Sequence, residues 1–262
     1  MNTNHRARRS SRRVLAVGGG AAAVLLCAVA GFANASSNAT AAKSAKSRTA
    51  AAKPAKAKPA YNFGSGYSAI NGTYTSVSAN WIQPTATCRG GDQQTGFWVG
   101  LSGKGTIAQT GTAANCDGTT PDYYSWWEMY PAAGVPMSVP TKPGDHMRAS
   151  VTYNGNNKFT LTIRDITRGW TRTENKTQVS TGGTPASANV IVEANSDTGG
   201  PSGRVTDFGS VTFSGATVNG KPLGSWPLWT GNLADLSGVQ EDTVSALSNG
   251  GRRFTATWLS TG

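Results

Sequence analysis

Short runs in which apolar and polar residues alternate fill the chain from Tyr61 to its C-terminus, and this pattern constrains the fold most. Examples are GTYTSVSANWIQP, GFWVGLSG, YYSWWEMYP, KFTLTIRDIT and ANVIVEAN. Turn sequences such as YNGNNK, TGG and NGKP separate the runs, and no segment shows a sustained helical period. Alternation of this kind is typical of strands with one buried face. We therefore predict an all-β domain over residues 61–262, folded as one large antiparallel β-sandwich.

The N-terminus predicts export. MNTNHRARRSSRR is basic, VLAVGGGAAAVLLCAVAGFA is apolar, and the ANA at Ala33–Ala35 has the small-x-small form of a signal-peptidase site. SRRVLA also resembles a twin-arginine export signal. We predict a signal peptide over residues 1–35 and a secreted, extracellular protein that has no membrane contact after the signal is removed. A membrane anchor is the alternative, because the apolar run is about long enough to span a bilayer.

Residues 36–60 are low-complexity Ala, Lys, Ser and Pro without an aromatic residue, which predicts a disordered basic segment. It is either a linker or a propeptide whose positive charge covers an acidic site until it is cut. The formal net charge of +11 arises in the N-terminal extension, because all 13 acidic residues follow residue 91. The folded part is formally neutral, so its composition argues against a nucleic-acid partner.

Two cysteines, Cys88 and Cys116, remain after the predicted signal peptide is removed. In an exported chain two cysteines most simply form one disulfide. The alternative is a pair of free buried thiols.

The available side chains restrict the chemistry. His146 is the only histidine after the signal peptide, so a zinc site built on several histidines is excluded. A serine triad would depend on this one residue, which lies in a predicted turn before a strand. No phosphate-binding loop of the Walker type is present. Carboxylates are therefore the expected acid–base groups, and no cofactor or metal is expected.

Two glutamates lie within predicted strands. Alternation in YYSWWEMYP places Glu128 on one face with Tyr124, Trp126 and Tyr130, a composition suited to line a cleft. The alternative is a half-buried sheet face on which Glu128 bonds to a tyrosine hydroxyl. Glu193 ends NVIVE on the face of Asn189 and Ile191, where partial burial would raise its pKa. The alternative there is a strand end that meets solvent.

At these residues the chain resembles the glutamic peptidases, also called eqolisins or peptidase family G1. The similar segments occur in the family's order: NFGSGY, VSANWIQP, FWVGLSG, AQTGT, YYSWWEMYP, ANVIVEAN and TDFGSVTFSGA. The resemblance implies a sandwich of two curved antiparallel sheets of the concanavalin A-like or jelly-roll type. It also implies that Gln109 and Glu193 are the catalytic pair, and it favours the propeptide interpretation of residues 36–60.

Two residues depart from the family pattern. Ser102 replaces an aspartate after the Trp-Val-Gly stretch, and Tyr124 replaces an acidic residue before the Trp-Glu stretch. Both positions are near the family's cleft, so the departures bear on the pH optimum and on substrate preference.

The resemblance predicts an endopeptidase that acts in acid on protein or peptide substrates, as a monomer. Glu193 would act as general base and then acid on water, and Gln109 would donate a hydrogen bond to the developing oxyanion. Trp98, Trp126, Glu128 and Tyr130 would shape the substrate cleft. The competing hypotheses are a carbohydrate-active enzyme that uses Glu128 and Glu193, and an exported carbohydrate-binding module without catalysis.

Overall fold

The computed structural model describes residues 64–178, 183–194 and 204–261. The predicted signal peptide and the basic segment of residues 36–60 lie outside these ranges. The first strands are β1 (Gly64–Ala69), β2 (Ser76–Ile82), β3 (Gln93–Gly103), β4 (Thr106–Asp117), β5 (Thr120–Tyr130), β6 (Val135–Pro136), β7 (His146–Tyr153) and β8 (Lys158–Asp165). The remaining strands are β9 (Trp170–Thr177), β10 (Ser187–Ala194), β11 (Ser210–Val218), β12 (Lys221–Pro222), β13 (Leu228–Gly231), β14 (Asp242–Val244) and β15 (Phe254–Trp258).

These strands form two antiparallel sheets. The first sheet has the order β13-β1-β10-β3-β4-β5-β6, and the second has the order β14-β15-β11-β2-β7-β8-β9, with β12 paired to β11. The helical structure in the described residues is a single 3-10 turn at Leu223–Ser225, and no helix there is long and apolar enough to cross a membrane. The predicted all-β antiparallel sandwich is confirmed.

The hydrophobic core lies between the sheets, and each sheet contributes alternate residues of its strands. Tight packing of large side chains is seen between Trp81 and Phe213, whose ring centroids are 5.6 Å apart. The indole Nε1 of Trp81 donates to Thr112 Oγ1 at 3.0 Å and so links the two sheets. Other fully buried side chains are Phe97, Leu101, Met147, Leu161, Ile163 and Phe254.

Two tight hairpins set the register of the central strands of the first sheet. β3 and β4 are joined by Lys104 and Gly105, both at positive φ (43° and 80°), as a two-residue hairpin turn requires. β4 and β5 are joined through Gly118, at φ 62°. Because a slip of one residue would turn every side chain to the opposite face, these turns decide which residues share a face with Gln109.

The predicted disulfide is present between Cys88 and Cys116. It joins the end of β4 to the segment that precedes β3, at the same end of the first sheet as the β4–β5 turn.

Candidate active site

The face of the first sheet that points away from the core carries the predicted site residues other than Tyr130 in three rows across adjacent strands. The Gln109 row consists of Asn189 on β10, Gly100 on β3, Gln109 on β4 and Glu128 on β5. The Trp98 row consists of Ile191, Trp98, Gly111 and Trp126 on the same strands. The Glu193 row consists of Glu193, Gly96, Ala113 and Tyr124.

Gln109 is buried, with 5% of its surface exposed. Its Nε2 donates to Glu128 Oε2 at 2.9 Å, and this bond fixes the orientation of the amide. A carboxamide has two N–H donors and one acceptor oxygen. One N–H thus remains for another acceptor, and the buried Oε1 has no partner. A buried acceptor without a partner is costly, so a hydrogen bond donated to this oxygen would be favourable.

Glu193 lies at the end of β10 and is half-buried. Its Oε2 accepts a hydrogen bond from the indole Nε1 of Trp98 at 2.8 Å. The pKa of Glu193 is raised to about 8, mainly by burial and further by the negative charge of Glu128, while the Trp98 bond opposes the shift. The carboxyl group is therefore neutral over most of the acid range.

Glu128 is half-buried on β5. Burial raises its pKa to about 7, and the hydrogen bond from Gln109 opposes the rise. Because the charge of Glu128 acts on Glu193, the Gln109–Glu128 pair and the Trp98–Glu193 pair belong to one electrostatic unit. In the described residues no hydrogen bond joins Gln109 directly to Glu193, and the Trp98 row lies between them.

The tryptophans predicted to line the cleft lie in the middle row. Trp98 and Trp126 are each 6% exposed and pack in a small apolar cluster with Ala113 and Ile191. The Nε1 of Trp126 is buried without a partner. Tyr130 lies at the end of β5, opposite Ile107, and is half-buried. The predicted alternation of β5 is therefore confirmed, because Tyr123, Trp127 and Met129 face the core instead.

Glycines make room for these side chains. A Cβ on Gly111 would lie 2.7 Å from Trp98 Cβ and 2.1 Å from the Phe97 carbonyl oxygen. A Cβ on Gly100 would lie 3.0 Å from both Gln109 Cβ and Trp98 Cζ3. The sequence indicated these two glycines only as parts of strands, and their role becomes visible once the register is known.

Asn189 is a site residue that the sequence analysis did not select. It is 7% exposed, and its Nδ2 donates to the Gly100 carbonyl oxygen at 3.2 Å and to Ser102 Oγ at 2.7 Å. Its position in the alternation Asn189-x-Ile191-x-Glu193 was the available signal, because it placed this amide on the same face as Glu193.

The arrangement combines an amide that can donate and accept, two carboxyl groups of raised pKa, and an apolar floor. Such a combination is suited to acid–base work on a polarised carbonyl group. Among the described residues, no group of three or more His, Cys, Asp or Glu side chains is arranged to hold a metal ion.

Comparison with known proteins identifies the family. The sequence matches the family model described as "Peptidase A4 family" over residues 62–258. A comparison with curated proteins found no matching sequence.

Solved glutamic peptidases have the same fold. The structure of scytalido-glutamic peptidase with a transition state analog inhibitor is 20% identical, with a TM-score of 0.63 over 75% of this chain and 98% of that one. SCP-B, a member of the eqolisin family solved with the tripeptide Ala-Ile-His, is 20% identical in sequence, and the TM-score is 0.61. The match covers 75% of this chain and 98% of SCP-B. Aspergilloglutamic peptidase from Aspergillus niger is 23% identical in sequence, and the TM-score is 0.52. The match covers 64% of this chain and 99% of that one. The family match covers most of the chain, and the chain therefore belongs to the peptidase A4 family, the glutamic peptidases or eqolisins.

Proposed function

We propose that this glutamic peptidase is a secreted endopeptidase in which Gln109 and Glu193 act together on the scissile peptide bond. The observation that carries the proposal is the state of Gln109: Glu128 holds one side of its amide at 2.9 Å, while Oε1 is buried and unpartnered. An oriented amide with spare hydrogen-bonding capacity can engage both a carbonyl oxygen and a water molecule.

In the proposed reaction, ionised Glu193 takes a proton from a water molecule as that water attacks the scissile carbonyl carbon. The remaining N–H of Gln109 donates to the carbonyl oxygen as negative charge develops, and one such donor contributes about 3–4 kcal/mol in the transition state. The C–N bond then breaks, and Glu193 returns its proton to the leaving amine. No covalent intermediate is formed with the protein.

Glu128 and Trp98 support this pair. Glu128 holds the amide of Gln109, and its charge raises the pKa of Glu193. Trp98 holds the carboxyl group of Glu193. Support of this kind limits the motion of the reacting groups, and a displacement of about 1 Å can cost about a hundredfold in rate.

The pH range of activity follows from the ionisation of Glu193. The expectation of activity in acid comes from the family resemblance, and a glutamate with an ordinary pKa near about 4.3 would be ionised in mildly acidic medium. Because the pKa of Glu193 is raised to about 8, the ionised base is scarce in acid and increases with pH. We therefore expect kcat/KM to rise with pH above the range of pH 3–5.

The N-terminal extension fits an exported enzyme. We propose that residues 1–35 direct export and that the basic residues 36–60 act as a propeptide toward the carboxyl groups of the site. The sequence pattern of the signal region and the Cys88–Cys116 disulfide support this proposal.

The test is a casein digest across pH 2–8 with the wild type, Glu193→Gln and a surface control, Asp117→Asn. Asp117 is exposed at the end of β4 that is remote from Gln109. We expect the wild type and the control to release the same peptides and Glu193→Gln to release almost none. Full activity of Glu193→Gln, or strong inhibition of the wild type by a chelator or by pepstatin, would refute the proposal.

A further inference from the structure

Asn189 and Gln109 are two carboxamides in the same row, on either side of Gly100. The Gly100 carbonyl oxygen can only accept a hydrogen bond, so the atom of Asn189 that faces it is Nδ2. The second N–H of that group is used by Ser102 Oγ at 2.7 Å. Both donors of Asn189 are thus consumed inside the protein, and its orientation is fixed.

The Oδ1 of Asn189 is its one hydrogen-bonding atom that is not used by these internal bonds. In the part of the chain that the structure describes, no hydrogen bond reaches this atom, yet it is not among the buried polar atoms without a partner. It is therefore at least partly accessible from outside the protein. A fixed acceptor of this kind selects a donor, because a carbonyl oxygen cannot pair with another acceptor. The groups that a peptide offers most regularly are its backbone N–H donors.

The spacing of the strands tells where along a peptide such a donor would lie. Asn189 is two strands from Gln109, which corresponds to about 10 Å at the usual separation of strands. An extended peptide covers this distance in about three residues. The contact would therefore be made two to four residues from the scissile bond.

We propose that Asn189 is a specificity-determining residue whose Oδ1 accepts a hydrogen bond from a substrate backbone N–H about three residues from the scissile bond. The inference rests on the proposed function of the site. A hydrogen bond at this position would make the enzyme prefer peptides that extend well beyond the cleaved bond. Asn189 carries no charge, so this preference does not change with pH.

The experiment starts from a casein cleavage site identified by mass spectrometry. Two peptides containing it are compared: a long one with four residues on each side of the bond, and a short one with one residue on each side. For Asn189→Leu we expect a KM on the long peptide about tenfold above the wild type, with kcat within twofold. On the short peptide the variant and the wild type should be equal. The change corresponds to one hydrogen bond of ordinary strength.

A further measurement separates this role from a structural one. N-methylation of the long peptide, one backbone amide at a time, should raise the KM of the wild type at a single position two to four residues from the bond. Methylation at that position should not change the KM of Asn189→Leu.

Equal losses on both peptides, a fall in kcat alone, or no sensitive N-methyl position would overturn the inference. The methylation series uses the wild-type protein and decides the question even where Asn189→Leu does not fold. A wild type that cleaves the long peptide but shows no sensitive N-methyl position overturns the inference and leaves the proposed function standing. A wild type that cleaves no casein site refutes the proposed function and, with it, the inference that rests on it.

Discussion

Two pairs of carboxyl groups in this protein have raised pKa values, and their surroundings differ. Glu128 and Glu193 lie half-buried on the outward face of the first sheet and accept bonds from the side chains of Gln109 and Trp98. Glu241 and Asp242 are 2% and 0% exposed. Burial raises the pKa of Glu241 to about 7 and that of Asp242 to about 6.

The interior pair is held largely by the backbone. Asp242 Oδ1 accepts from the Leu233 N–H at 2.6 Å, and its Oδ2 accepts from the Ser65 hydroxyl. Glu241 accepts from the Val205 backbone N–H, which opposes the rise of its pKa. A raised pKa is therefore not a sufficient sign of catalysis. What distinguishes the site pair is accessibility and an adjacent amide with unused hydrogen-bonding groups.

Outside the carboxyl groups themselves, the largest effect is expected at the amide beside the site pair. Gln109→Ala removes the proposed oxyanion donor, and we expect kcat to fall by about 10²–10³. Gln240 is the matched residue beside the interior pair, because its Nε2 donates to the Asp242 carbonyl oxygen at 2.6 Å. Gln240→Ala should leave kcat within twofold. Steady-state kinetics on one casein-derived peptide compare the two variants, and similar losses would remove the distinction between the pairs.

The next effect is on stability. The folded pKa of Glu241 lies above its ordinary value, so folding binds protons, and stability present below about pH 4 is lost as pH rises through 7. Glu241→Gln should remove the part of this loss of stability that the ionisation of Glu241 causes. The free energy of unfolding at pH 8 should then rise by on the order of 3 kcal/mol. Urea unfolding at pH 4 and pH 8 measures the effect, and the wild type and variant should differ more at pH 8. A wild type more stable at pH 8 than at pH 4 would contradict this expectation.

A smaller effect is expected where the site depends on close packing. Gly100→Ala would place a Cβ 3.0 Å from Gln109 Cβ and from Trp98 Cζ3, which displaces both by a few tenths of an ångström. We expect kcat/KM to fall roughly tenfold. Gly183→Ala is the control, because its Cβ would make only an ordinary contact, 3.7 Å from Lys104 Nζ. An unchanged kcat/KM in Gly100→Ala would show that the rows tolerate this shift.

The smallest effect concerns the coupling within the site pair. Glu128→Gln removes the negative charge that raises the pKa of Glu193. The limb of the kcat/KM profile on which Glu193 loses its proton should therefore move to lower pH. The profile is measured from pH 3 to 9 for wild type and variant. A limb that moves to higher pH, or stays in place, would argue against the coupling.

Much of the fold and part of the site followed from local sequence. Alternation alone assigned Trp126 and Glu128 to one face of β5 and Glu193 to the face of Asn189, because successive side chains of a strand point to opposite sides. The disulfide followed from the presence of two cysteines in a chain with an export signal.

The contacts of the site did not follow from the sequence. The partner of Gln109 is Glu128, and this depends on the register that the β3–β4 and β4–β5 turns impose. The row that joins Asn189 to Gly100 and Gln109 depends on the pairing of β10 with β3, whose residues are about 90 positions apart in the chain. Such non-local pairing is set by the packing of the whole sandwich rather than by any short segment.

The most direct test of the account compares kcat/KM of Glu193→Gln and Glu241→Gln on one casein-derived peptide at the wild-type pH optimum. Both changes replace a carboxyl group of raised pKa by its neutral amide. We predict that kcat/KM falls by about 10²–10⁴ for Glu193→Gln, as expected for loss of a general base. For Glu241→Gln we predict that kcat/KM changes by less than twofold. Comparable losses in the two variants, or a nearly active Glu193→Gln, would contradict the assignment of Glu193.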